Sequence, residues 1–191
     1  MKFIYQYRGV KQILSTYWSA YGGISAFIRS PYLHISYILS IILFPIWTEN
    51  HWWEEKLDIL STLFGFTLGG YAIFVAFGDD VFRSLISKKL PEIGTVSPFM
   101  AANSAFVHFL VVQFSAIIFM ILIDANYFDV IRTLISTFDV KITDRFNTIL
   151  DFLMYLSWFL SFFFFIYALL SDLASVFAIF RVAKWFDDYH A

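Results

Sequence analysis

The chain has 191 residues, of which 60% are hydrophobic, 22% aromatic and only 15% charged, and its formal net charge is −2. A soluble domain carries about a quarter charged residues, so this composition cannot clothe a water-facing globule, and lipid is the natural solvent for the apolar excess. The small net charge excludes a general attraction to nucleic acid, and the absence of cysteine excludes disulfides, thiolate metal sites and cysteine nucleophiles.

Residues 1–30 carry Lys2, Arg8, Lys11 and Arg29 with no acid, interleaved with Tyr5, Tyr7, Tyr17, Trp18 and Tyr21, until Gly22-Gly23 breaks the segment. The pattern predicts an amphipathic stretch at a headgroup surface. Basic residues among aromatic rings also suit RNA, whose bases stack on such rings. Continuity with a membrane-embedded chain argues against direct nucleic-acid binding. Lys2 is not followed by a short apolar core with a small-residue cleavage site, so no cleaved signal peptide is expected.

Ser30-Pro31 is a helix start, a cap followed by a first-turn proline. The first span is expected over about 32–47, closed by Pro45 and Trp47. In the link to the next span, Glu49, Glu54 and Glu55 accompany Trp52 and Trp53, which read as interfacial anchors.

The second span, about 57–78, reads LDILSTLFGFTLGGYAIFVAFG. At about 100° per residue, Ser61, Gly65, Gly69, Ala72 and Ala76 fall in one narrow sector, with Phe66, Phe74 and Phe77 opposite. Lipid supplies no hydrophobic drive between helices, so a furrow of small side chains lets another backbone approach closely. This helix is therefore expected to be the packing hub of the protein.

Beyond it, Val81, Phe82, Leu85, Ile86 and Leu90 recur at helical spacing among Arg83, Lys88 and Lys89. The spacing predicts that the hub helix runs on as an amphipathic extension until Pro91, Gly94 and Pro98 break it. The third span is expected over about 99–123. In the following link Val130, Ile131, Leu134, Ile135 and Phe138 predict a short surface helix. The fourth span, about 148–171, follows a cap at Thr143-Asp144 and continues over 172–191 toward Trp185 as a helical extension.

The fold class that emerges is all-α. It is a single polytopic membrane domain over 1–191, an integral membrane four-helix bundle with cytoplasmic amphipathic helical extensions. Lys and Arg flanking the spans set orientation. The N-terminal segment has four, the second link has Arg83, Lys88 and Lys89, and the tail has Arg181 and Lys184, whereas the first link has only Lys56. Both termini are therefore expected in the cytoplasm, although Arg132, Lys141 and Arg145 in the third link reduce the contrast.

Polar groups within spans are costly and are functional suspects by default. Three stand out here: His108, Gln113 and Asp172. Ser157, Ser161, Ala168, Asp172 and Ser175 share a face of the fourth span, and Ala101, Ser104, His108 and Ser115 share a face of the third. These stripes are expected to line a polar seam with His108 and Asp172 as a pair, suited to pH sensing or proton relay because histidine titrates near neutrality. The blander reading is close packing of small residues with Asp172 reaching interfacial water. Gln113 points off the seam toward an interhelical hydrogen bond or a subunit contact.

Asp58 and Asp79 end the small-residue face of the second span, where acids at a pore mouth would select cations. Gly78-Asp79-Asp80 shares its letters with a polymerase metal motif, but that chemistry needs a hairpin in a soluble domain. No H-E-x-x-H, G-x-S-x-G or phosphate-binding glycine loop occurs, and the four histidines are far apart. No enzyme activity, cofactor or metal is therefore expected. An intramembrane hydrolase would have to assemble its site from isolated residues.

With four spans in under 200 residues, the stretch LFGFTLGGYAIF (63–74) and cytoplasmic amphipathic extensions, the chain resembles the small membrane subunits of bacterial antiphage defence systems, the Kiwa-type membrane component in particular. The resemblance implies a homo-oligomer in the bacterial inner membrane whose cytoplasmic face docks a soluble, DNA-binding partner and which responds to infection. It transfers no specific residue. The expected function is a non-enzymatic oligomeric membrane subunit, in contact with lipid, with copies of itself and with a cytosolic protein. The alternative is an oligomeric ion-conducting or depolarising pore.

Overall fold

The computed structural model describes residues 2–88, 96–137 and 144–190. Lys89, Leu90, Pro91, Gly94, Phe138, Lys141 and Thr143, which the sequence reading used, lie outside the described residues. The order of elements is α1 Lys2–Tyr21, α2 Gly23–Ile28, α3 Pro31–Ile42, α4 Phe44–Trp47, α5 Trp53–Ala76, α6 Asp80–Ser87, α7 Pro98–Asp124, α8 Tyr127–Thr137 and α9 Asp144–His190.

Local chemistry sets most of these boundaries. Pro31 and Pro98 open α3 and α7, where a missing N–H costs nothing. The Ser97 hydroxyl accepts from the Met100 N–H at 3.3 Å, and the Asp79 carboxylate accepts from the Phe82 N–H at 2.8 Å. Gly22 (φ 107°) and Gly23 (φ 65°) turn the chain between α1 and α2, as the glycine pair predicts.

Three helices are long and apolar enough to cross a membrane: α5, the stretch 98–137 that contains α7 and α8, and α9. At about 1.5 Å per residue, the 24 residues of α5 and the 27 of α7 cover the roughly 30 Å hydrocarbon core. The 47 residues of α9 reach about 70 Å, so this helix carries the long extension that the sequence implies.

The first expected span, 32–47, is corrected. It is divided into α3 and the four-residue α4, and the 12 residues of α3 reach only about 18 Å, short of a crossing. The helix ends at Leu43 because Pro45 has no N–H to offer the Ile41 carbonyl.

The centre of the bundle is the α7–α9 pair, which runs antiparallel, with Phe119 stacked on Phe164 at 4.9 Å and His108 meeting Tyr167. Helix α5 lies antiparallel to α7. Trp53 Nε1 donates to Asp124 at one end (2.8 Å), and Phe74 stacks on Phe106 at 4.8 Å near the other. α3 packs on α9, with Tyr37 edge-on to Phe159.

The furrow on the second span does not pack the chain's own helices. Ser61, Gly65, Gly69, Ala72 and Ala76 are all exposed, and a Cβ added to Gly65 or Gly69 would meet no atom within 4 Å. The inward face is the opposite one, Trp53, Leu60, Thr67 and Phe74. Both neighbours of α5 lie on one side of it, and that side carries the large side chains, which make more dispersion contacts with α7 than glycine can.

Close approach through small residues occurs on α3 instead. Ser36 and Ser40, four apart, are fully buried, and so are Ser161 and Ala168 on α9. The Ser36 and Ser40 hydroxyls donate to the Tyr32 and Ser36 carbonyls at 2.6 and 2.7 Å. Burial against α9 therefore strands no polar atom of theirs.

The expected continuation of the second span is also corrected. α5 stops at Ala76, and Gly78 (φ 85°) and the Asp79 cap restart the chain as a separate α6. The amphipathic faces of α6 and the α9 tail then pack on each other. Phe82 meets Phe186 at 5.1 Å and Tyr189 at 6.1 Å, and His190 lies 3.5 Å from Asp79.

Candidate functional site

The most elaborate polar arrangement surrounds His108, which is buried on α7. α1 brings Tyr17 to one ring nitrogen, with 2.7 Å between its hydroxyl and Nδ1. α9 brings Tyr167 to the other, with 2.8 Å between its hydroxyl and Nε2. Tyr21, one turn after Tyr17, lies flat on the imidazole at 3.9 Å and 15°. Trp18 and Phe27 close the remaining sides at 6.4 and 6.1 Å.

This arrangement follows from helix periodicity. Tyr17 and Tyr21 are four apart on one face of α1, and the glycine pair ends the helix just beyond them, so α2 can fold Phe27 back over the ring. A neutral imidazole has one donor and one acceptor, and a hydroxyl can act as either. The Tyr17 hydroxyl can donate to Nδ1 while Nε2–H donates to Tyr167, or both directions can reverse. Each ring tautomer is therefore satisfied, and α1 is tied to α9 through the α7 imidazole. Burial, and then the neighbouring Tyr21, push the Tyr17 phenol up to about 12. Burial also raises Tyr21, against a hydrogen bond to Tyr167 that lowers it.

The expected His108–Asp172 pair is not formed. Asp172 is half-buried on α9 and faces α5, lining a groove with Asp58, Thr62, Phe66 and Leu169. The seam divides: Ser161 is buried against the bundle, whereas Ser157 lines a separate cavity at the α7–α8 elbow. Asp58 shares the groove with Asp172, but Asp79 is engaged at the other end of α5, as the α6 cap and the partner of His190. Gln113 is fully buried, so it is not a surface contact, and neither of its amide atoms has a partner among the described residues.

Tyr17 and Tyr21 were read only as aromatics of a surface segment, and Tyr167 was not singled out. The i, i+4 spacing of Tyr17 and Tyr21 was a usable signal for a shared face, but nothing local connects Tyr17 with His108, 91 positions away, or His108 with Tyr167, 59 positions away. Among the described residues no group of three His, Asp or Glu side chains could hold a metal ion. Comparison with known protein families, with curated proteins and with solved structures returned no match.

Proposed function

We propose that this protein is a non-enzymatic, multi-pass membrane subunit that assembles with copies of itself through the outward furrow of α5. The observation that carries the reading is the exposure of the whole furrow, with open space above Gly65 and Gly69. In lipid, helix association uses such small-residue faces, because close backbone approach gains dispersion contacts that lipid tails match poorly. The resemblance to small antiphage membrane subunits extends the proposal to a cytosolic partner, docked where α6 and the end of α9 pack into one platform.

The absence of cysteine makes the test direct. Ala72→Cys, exposed on the furrow, is expected to form disulfide-linked dimers in native membranes. Leu60→Cys, on the buried face, is expected to form none. A monomeric mass in mild detergent together with no cross-link from Ala72→Cys refutes the assembly. Failure to copurify with any product of the neighbouring genes counts against the docking role.

The α5–α9 groove favours a pore as a second reading. Asp172 lies beside the middle of α5 and is only half-buried, and Asp58 is exposed in the same groove. Carboxylates at membrane depth belong at a protein interior or a water-filled path, and assembly beside this groove would supply one. Cation conductance in planar bilayers that falls in Asp172→Asn supports it, and a flat trace from the assembled protein refutes it.

A further inference from the structure

At the opposite end of the bundle from the α6–α9 platform, the elbow between α7 and α8 holds an open-sided cavity of about 290 Å³. Its walls are Phe119, Leu122 and Ile123 on α7 and Met154, Trp158 and Leu160 on α9. The volume is at the lower end of ligand pockets, roughly 300–1,000 Å³. Asn126 and Ser157 give the lining a narrow polar edge. Asn126 also makes the elbow, with φ 52° in the left-handed region.

One helical turn beyond the cavity on both of its walls stands an ionic cluster. Arg132 on α8 pairs with Asp129 at 3.1 Å and also with Asp151 on α9. The arginine is 29% exposed and the two acids 54% and 51%, so all three reach solvent. Trp53, Trp158 and Tyr155 gather beside the cavity, with ring centroids 5.5 Å apart in each contact. Such a belt marks the boundary between acyl chains and headgroups.

From this we infer that the elbow is a binding site for one phospholipid with a primary-ammonium headgroup, its acyl chain in the cavity and its headgroup on Asp129, Arg132 and Asp151. Charge complementarity selects this occupant. On binding, the Arg132 guanidinium, whose two terminal nitrogens hold Asp129 and Asp151 in the free chain, exchanges those contacts for the lipid phosphate in planar, bidentate geometry. The two carboxylates accept from the ammonium N–H groups, which a quaternary choline does not possess. An anionic headgroup without an amine satisfies Arg132 and leaves two acids facing its phosphate. The site lies on α7, α8 and α9, away from the α5 furrow, and does not depend on self-association.

The delipidated full chain, reconstituted with equal amounts of phosphatidylethanolamine, phosphatidylcholine and phosphatidylglycerol, tests the inference by native mass spectrometry. The expected result is one retained phosphatidylethanolamine per chain, at least tenfold over either competitor. Leu122→Trp and Ser157→Phe, which fill the cavity from opposite walls, are expected to abolish retention. Arg132→Gln is expected to keep a lipid but lose the preference. Phosphatidylethanolamine brominated in its acyl chain is expected to quench fluorescence in the unmodified chain, and less in Trp158→Phe. No retained lipid, retention without headgroup preference, an anionic preference, or retention unchanged in both filled variants overturns the inference.

Discussion

The Tyr17–His108 contact gives a prediction whose size follows from the geometry. Tyr17→Phe removes one hydroxyl 2.7 Å from Nδ1 and leaves the ring's packing in place. His108 is 6% exposed, so Nδ1 keeps little access to water. A buried polar atom left without a partner costs about 1–3 kcal/mol. Tyr17 is itself half-buried, and water entering beside the truncated ring offsets part of that, which places the cost near 1–2 kcal/mol. Because the glycine hinge lets α1 open locally, the loss appears as undocking of α1 and not as global unfolding. About 1.4 kcal/mol is tenfold in an equilibrium, so backbone amides at residues 14–21 are expected to exchange roughly 5- to 30-fold faster in Tyr17→Phe. Amides in the middle of α5 are expected to be unchanged. In a His108→Phe background the same substitution is expected to do almost nothing, since no ring nitrogen remains to be stranded. Hydrogen–deuterium exchange with mass spectrometry on all four proteins closes the cycle. Equal acceleration of α1 exchange in both backgrounds refutes the latch.

Tyr17 is raised from 10.0 to about 12 in the folded chain, so the neutral phenol is the form that docks. Docking is then fully present below pH 10, is lost as pH rises from 10 through about 12, and Tyr17→Phe is expected to flatten that loss of α1 protection. Gly78→Ala places a Cβ 2.8 Å from the Phe82 ring at a φ of +85°, and is expected to destabilise the α6–α9 platform by about 1–3 kcal/mol, read as a lowered thermal midpoint. Gly65→Ala meets nothing within 4 Å in the single chain and gains helix propensity, so in the detergent-solubilised monomer it is expected not to lower that midpoint. Arg132→Ala removes two solvent-reaching ion pairs; it is expected to cost no more than about 1 kcal/mol while loosening protection of α8 alone.

Much of the fold was legible where a local rule decides it. Pro31 starts α3, as read, because only a first-turn residue can lack an N–H without loss, and Pro98, read only as a breaker, starts α7 by the same rule. Gly22-Gly23 breaks the N-terminal segment because both glycines adopt positive φ. The same kind of rule was placed too late at Pro45, taken to close the span at Trp47 when it already parts α3 from α4, and went unused at Gly78, which parts α5 from α6. At Gly78 an apolar run was read through a residue that ends it. The candidate site was half legible. His108 announced itself as a polar residue in an apolar helix, but its partner was sought among charges. The chain supplied phenols, which satisfy an imidazole in either tautomer without burying a second charge.

By itself the sequence determined that the protein is helical and suited to lipid, because composition and periodicity are properties of residues and their near neighbours. It also determined that α5 has one small face and one bulky face. Which face turns inward was decided only by tertiary structure. The choice depends on the shapes that α7 and α9 present, and those shapes are set by residues tens of positions away. Phe99 and Phe106 offer rings to Phe74, and the glycines are left facing outward.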